Sequence, residues 1–127
     1  MKRNDLSHYA EIESFVTKDG SEIRELMHPV RHANEKQSLA EARLPVGRKT
    51  WLHRHHITEE LYYITEGSGL MTLGTEQFEV RVGDSICILP GTEHCIDNTG
   101  QVELALLCCC SPAYSHEDTE ILENIPV

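Results

Sequence analysis

His53 and His55 stand two residues apart in a run that also holds Trp51 and Leu52. Alternate side chains of a β-strand share a face, so this spacing predicts two imidazoles projecting in the same direction. Imidazole is the commonest protein ligand for divalent transition metals. Glu60 follows five residues after His55, at the start of an apolar stretch. A short antiparallel return would bring its carboxylate beside the two rings. His94 is a fourth candidate, placed after the turn-forming pair Pro90-Gly91. Taken alone, a His-x-His pair on a strand fits a solvated or core pair as well as a metal site.

Such side chains need strands to position them. Seven of the eight glycines lie between Gly47 and Gly100 and punctuate short apolar runs, a pattern of all-β sandwiches and barrels. Ser38 to Leu44 reads as a strand with Ala40, Ala42 and Leu44 on one face and Glu41 and Arg43 on the other. Leu61 to Thr65 has the β-branched and aromatic content of a strand. Gly67-Ser68-Gly69 turns the chain into Leu70 to Leu73, and the return runs through Phe78, Val80 and Val82. Gly83-Asp84 is a hairpin-type turn signal. Ile86 to Leu89, Cys95-Ile96 and Val102 to Cys110 supply three more strands. Ser7 to Val16 fits either a short helix or an extended arm, Ile23 to Met27 an edge strand, and Ser115 to Ile125 a short acidic helix after Pro112. There is no repeat, low-complexity linker or second-domain boundary. The expected layout is one domain over residues 1–127, with an N-terminal arm (1–20), a barrel core (38–110) and an acidic tail (115–127).

The punctuation around the histidines carries more than their spacing. Gly47, five residues, His53-Arg54-His55, four residues, Glu60, six residues and Gly67 form one motif. Gly83-Asp84, Pro90-Gly91-Thr92-Glu93-His94, three residues and Asn98 form a second. Together they resemble the two signatures of the cupin superfamily, over roughly residues 38–110. Leu89 stands where the second signature usually has its first proline, and Pro90 lies one position later. Gly91, His94 and Asn98 keep their spacing from Gly83. The resemblance is to the small single-domain cupins and implies a double-sheet jelly roll, or double-stranded β-helix, of about eight strands. It also implies His53, His55, Glu60 and His94 as ligands of one divalent transition metal: iron, manganese, nickel, zinc, cobalt or copper. Three neutral nitrogens and one carboxylate suit these ions better than calcium or magnesium. Four protein ligands in an octahedral shell leave two positions open for water, substrate or dioxygen. A reference histidine pKa near 6.5 predicts that binding weakens between about pH 7 and pH 5.

Other residues are weighed against plainer roles. Glu59 is read as solvated or as a partner of the ligand shell, and His56, of opposite parity to His55, as a rim residue. Tyr62 shares parity with Glu60 and is read as core packing, with proton donation as its second role. Arg48, Lys49 and Arg54 cluster beside the first motif and are candidates for holding a substrate carboxylate or phosphate, or else exposed charge. Arg43 is read as exterior or at a subunit contact. Cys108, Cys109 and Cys110 are expected to be buried packing thiols apart from the chemistry, with at most two on one face. Tyr114 to Asp118, including His116, is read as solvated tail.

Composition narrows the partners. The chain has 127 residues and a net charge of −10. Residues 1–54 carry ten basic and eight acidic side chains, whereas 55–127 carry Arg81 against 13 acidic ones. That balance argues against nucleic acid and against a basic membrane patch. The longest apolar run, Leu104 to Cys110, is far short of the roughly 20 residues that span a bilayer. No signal peptide is evident, and five cysteines, three of them consecutive, fit reduced thiols in the cytoplasm. A homodimer is expected through the less acidic first half, using Arg24, Arg43 and the edge at Ile23 to Met27. The functions that follow are a metal-dependent enzyme on a small oxygenated molecule, of dioxygenase type or a Lewis-acid isomerase or lyase. The alternatives are a non-catalytic module binding a small ligand or metal, and a sugar-phosphate isomerase-like protein using Arg48 and Lys49.

Overall fold

The computed structural model describes residues 5–123. Among these, the strands are β1 (Phe15–Val16), β2 (Glu22–Met27), β3 (Ser38–Leu44), β4 (His53–His55), β5 (Glu59–Glu66), β6 (Ser68–Leu73), β7 (Glu76–Arg81), β8 (Ser85–Ile88), β9 (His94–Asp97), β10 (Leu104–Ser111) and β11 (Thr119–Ile121). They form two antiparallel sheets, one in the order β1-β2-β3-β10-β5-β8 and the other β11-β4-β9-β6-β7. This is a jelly roll. The eight strands β3 to β10 correspond to the eight implied by the motifs, and β1, β2 and β11 are added by the two ends of the chain.

A gradient in side-chain size along three neighbouring strands decides where the core ends and a cavity begins. Leu104 of β10 lies opposite Leu44 of β3, and Leu106 lies between Ala42 and Ile64. Further along, Cys108 pairs with Ala40 and Tyr62, and Cys110 with Ser38 and Glu60. Large aliphatic side chains thus fill one end, with Met71, Ile88 and Ile96 also fully buried. Small ones leave space at the other. The alternation of β5 is clean, with Glu60, Tyr62 and Ile64 inward and Glu59, Leu61 and Tyr63 outward.

Outside the first sheet, Arg43 reaches three carboxylates: Glu41 at 3.0 Å, Glu66 at 3.2 Å and Glu103 at 2.6 Å. The Tyr9 hydroxyl donates to Glu41 as well, which explains how Glu41 is buried on an outer face.

Two local expectations are refined and two are corrected. The segment Ser7 to Val16 holds only a 3-10 turn (Tyr9–Glu11) before β1. Strand β2 pairs with β3 on one side, but on the other β1 reaches only Glu22 and Ile23, so Arg24 to Met27 have no strand partner there among the described residues and keep the expected edge. Gly83-Asp84 does not close a hairpin: it carries the chain from β7 in one sheet to β8 in the other, and its backbone bonds Ile64 of β5. The acidic tail is not helical over 115–123; the expectation for 124–127 lies outside the described residues. Residues 115–118 turn, and Thr119–Ile121 pairs with β4, whose neighbouring Ile57 and Thr58 amides donate to the Asp118 carboxylate. A free edge on β4 thus wins over the weak helical preference of an acidic segment. No helix of the described residues is long and apolar enough to cross a membrane.

Two glycines separate backbone strain from steric contact. Gly47 and Gly67 both have positive φ, 80° and 77°. A Cβ on Gly47 meets nothing within 4 Å, whereas one on Gly67 lies 2.5 Å from the Glu103 carbonyl oxygen. Gly47→Ala is expected to cost about 1–2 kcal/mol, the price of a left-handed L-residue. Gly67→Ala should cost clearly more, as read from urea midpoints. Equal losses would contradict this packing at the β5–β6 turn.

Candidate metal centre

Strands β4 and β9 are neighbours in the second sheet, with His53 directly opposite His94. His55 lies on the same face of β4, so two strands bring three imidazoles together; His53 and His55 line the cavity, and His94 is fully buried beside them. One ring nitrogen from each lies within 4.8 Å of the others. Ring centroids are 4.2 Å apart for His53 and His94, 5.3 Å for His53 and His55, and 5.4 Å for His55 and His94. Glu60 approaches from the first sheet, at the beginning of β5. Its Oε1 is 3.1 Å from His55 Nε2 and 3.5 Å from His94 Nε2. All four side chains are buried.

The outward hydrogen bonds of the rings set their tautomers. His53 Nδ1 is 2.7 Å from the Trp51 carbonyl oxygen and His94 Nδ1 is 2.9 Å from that of Thr92. A carbonyl only accepts, so each Nδ1 carries the hydrogen. The Thr119 hydroxyl donates to the Ser115 carbonyl and lies 2.9 Å from His55 Nδ1, so its oxygen accepts from that ring. All three Nε2 atoms therefore turn lone pairs inward, beside a carboxylate. His94 Nε2 is buried with no hydrogen-bond partner at all. Lone pairs gathered like this need a cation among them, and the donor set fits a divalent transition metal.

Protonation is consistent with that fit. Burial, reinforced by the neighbouring His94 ring, lowers His53 from the ordinary 6.5 to about 4. Burial opposes ionisation of Glu60, but hydrogen bonds and positive charge from His55 and His94, available only when those rings also carry a proton on Nε2, outweigh it and bring the carboxyl to about 2 in the metal-free chain. At neutral pH His53 is neutral and Glu60 ionised, as ligation requires. His53 therefore does not follow the reference value from which weakening between pH 7 and pH 5 is expected.

The family model for the cupin domain matches residues 40–110, from within β3 to within β10. The chain belongs to the cupin family. An uncharacterized protein of Methanocaldococcus jannaschii is 60% identical to this cupin over 117 residues, covering 92% of this chain and 94% of that protein. The oxalate-binding protein of Thermotoga maritima is 32% identical over 84 residues, covering 66% of this chain and 65% of its own. A crystal structure of a predicted oxalate decarboxylase from the same organism superposes with a TM-score of 0.73 at 26% identity, covering 84% of this chain and 98% of that one.

Residues beside the motifs fall differently in this cupin. Glu59 is exposed. His56 is exposed and faces Glu120 at 3.3 Å. Tyr62 lines the cavity, and burial followed by the Glu60 charge raises its hydroxyl well above 10, so it stays protonated. Arg48, Lys49 and Arg54 are absent from the cavity lining. Arg48 is exposed in the turn after β3, Lys49 faces Glu123 at 3.6 Å, and Arg54 bonds Glu120 of β11 at 2.8 Å. Arg54 lies between the two histidines, so strand parity sends it to the opposite face.

The thiols require a correction. Cys109 is exposed, while Cys108 and Cys110 line the cavity. Cys110 Sγ donates to Glu60 Oε2 at 3.2 Å, placing a thiol in contact with the carboxylate. Burial, with the Glu60 charge second, pushes both thiols up, so they stay protonated. The tail is corrected too: Tyr114 lines the cavity with its ring 5.9 Å from His55, and Thr119 holds the His55 ring. Asp19, whose Oδ2 is 3.6 Å from His53 Nε2, was not singled out by the sequence either. Its Asp-Gly pair signals a turn and nothing more.

A pH dependence follows. His53 is lowered on folding, so between 6.5 and about 4 the unfolded chain binds the proton that the folded chain refuses. The stability from neutral His53 is complete above 6.5 and lost as pH falls towards 4. Glu60 has the same sign over a lower window, from 4.5 down to about 2. Without metal, the protein is expected to lose a few kcal/mol of stability, to order of magnitude, between pH 6.5 and pH 4. His53→Gln should flatten that window in thermal unfolding; an equally steep profile in the variant would contradict the assignment.

Proposed function

We propose that this cupin holds one divalent transition metal through His53, His55, Glu60 and His94 and is a metal-dependent enzyme acting on a small oxygenated molecule. The observation that carries this reading is the buried His94 Nε2 without a partner, in a cluster whose imidazole hydrogens all point outward. When bound, the metal supplies Lewis acidity for isomerase or lyase chemistry or, as iron, a site for dioxygenase-type oxidation.

The chain's own residues shape what enters. The cavity is small, about 40 Å³, which supports a small ligand. Ala40, Ala42 and Leu106 wall it with apolar surface, and Tyr62 keeps a proton to offer to a bound oxygen. Neither lysine nor arginine is among its lining residues, so the lining does not support the sugar-phosphate isomerase-like reading through Arg48 and Lys49. A second reading, a non-catalytic module binding a small dicarboxylate through the metal, is favoured by the likeness to an oxalate-binding protein.

Metal analysis of protein purified without added metal tests the centre. His53→Ala, His55→Ala, Glu60→Ala and His94→Ala should each cut metal content sharply, and full occupancy in two of the four would overturn the ligand set. A substrate screen with and without oxygen then separates the functions. An oxygenase turns over only aerobically, a Lewis-acid enzyme in both, and a binding module shows affinity without turnover.

The same reading includes a cytoplasmic homodimer. The five cysteines are all free, as expected of a reducing compartment. Strand β1 ends its sheet, and Leu61 and Tyr63 are exposed on the outer face of β5. Arg43 is occupied within its own chain, so the contact falls to these surfaces instead. Light scattering at tens of micromolar should give twice the chain mass; a monomer would contradict it.

A further inference from the structure

Asp19 approaches the histidines from a turn built to hold it. Gly20 N donates to Thr17 O at 3.0 Å, and Thr17 N donates to Ser21 O at 3.0 Å. Gly20 has φ +91°, and a Cβ there would come within 3.0 Å of the Trp51 indole nitrogen. The Asp19 carbonyl accepts from Trp51 N at 2.7 Å, which ties the turn to the chain two residues before His53. One carboxylate oxygen is committed: Oδ1 accepts from Ser21 N at 2.9 Å and from Ser21 Oγ at 2.6 Å. Ser21 is buried, so this clasp is shielded from water. The other oxygen, Oδ2, is left facing His53 Nε2 at 3.6 Å.

That orientation is unfavourable unless a cation sits beside it. The His53 hydrogen is on Nδ1, bound to Trp51 O, so Nε2 and Oδ2 face each other with lone pairs. Glu60 Oε1 stands to His94 Nε2 in the same way, at 3.5 Å. Both separations are close to the roughly 3 Å between adjacent donors around a first-row metal. Charge points the same way: two carboxylates neutralise a divalent ion, and a neutral centre is the least costly to bury.

We propose that Asp19 is a further donor to the metal centre, supplied by the N-terminal turn, so that metal binding fastens residues 17–21 onto the barrel. This rests on the metal reading above and extends it by one ligand. Asp19→Asn keeps the shape and the Oδ1 acceptor but removes the charge. Ser21→Ala keeps the charge but loosens the clasp.

Cobalt(II) affinity, measured by chelator competition, and hydrogen exchange of residues 15–21 with and without cobalt(II) provide the test. Asp19→Asn should bind at least roughly 10- to 100-fold more weakly than the wild-type chain, because losing a donor costs no less than losing one of the outer partners that orient a donor. Ser21→Ala should bind severalfold more weakly. Metal should slow exchange at residues 17–21 in the wild-type chain and not in Asp19→Asn. Wild-type affinity in a folded Asp19→Asn overturns the inference and leaves the four-ligand reading standing. If Asp19→Asn fails to fold, unchanged affinity in Ser21→Ala overturns it. A wild-type chain that binds no cobalt(II) overturns both.

Discussion

Trp51 O, Thr92 O and Thr119 Oγ1 each hold an imidazole by its Nδ1, and these three hydrogen bonds constrain everything inside the cavity. They decide which nitrogen of each ring carries hydrogen and so which way its lone pair points. Two come from backbone carbonyls two residues before the histidine they hold, a local arrangement built into the approach to β4 and β9. The third comes from a strand at the far end of the sequence, 64 residues from His55. Losing any of them would free a ring to rotate and blunt the convergence that the site depends on.

The barrel makes room for this convergence by changing side-chain size along β3, β5 and β10. Leucine and isoleucine close one end, while alanine, cysteine and serine open the other. The cost is a core that is thin near the site; at the filled end, on the outer face, Arg43 ties Glu41, Glu66 and Glu103 together. Those contacts are partly exposed, so each contributes little alone. The thiols belong to the same gradient. Cys108 and Cys110 are small enough to leave the cavity open, and Cys110 stays protonated and donates to Glu60.

Much of this was legible in the sequence. Alternation in Ser38 to Leu44, and the β-branched and aromatic content of Leu61 to Thr65 with the parity of Tyr62 and Glu60, pointed to the strands and their inward faces, and the two glycine-bounded motifs located His53, His55, Glu60 and His94. What escaped was long-range. Thr119 matters because it pairs with His55, and nothing near Thr119 in the chain announces that partner. Asp19 looks like an ordinary turn aspartate until the turn is seen to rest on Trp51. The basic cluster misled for a different reason. Composition located Arg48, Lys49 and Arg54, but the parity that put His53 and His55 inward also puts Arg54 outward. For the cysteines, parity was applied correctly, with two on one face, but which face remained undetermined until β10 was seen between β3 and β5.

The central claim is that nitrogen and oxygen donors, and not the neighbouring thiols, hold the metal. X-ray absorption on the cobalt- or zinc-loaded protein measures this directly. The account predicts a first shell of nitrogen and oxygen at about 2.0–2.2 Å, with the outer-shell scattering of imidazole rings. A sulfur scatterer at about 2.3 Å would contradict it, moving the centre from the histidine cluster to Cys108 and Cys110.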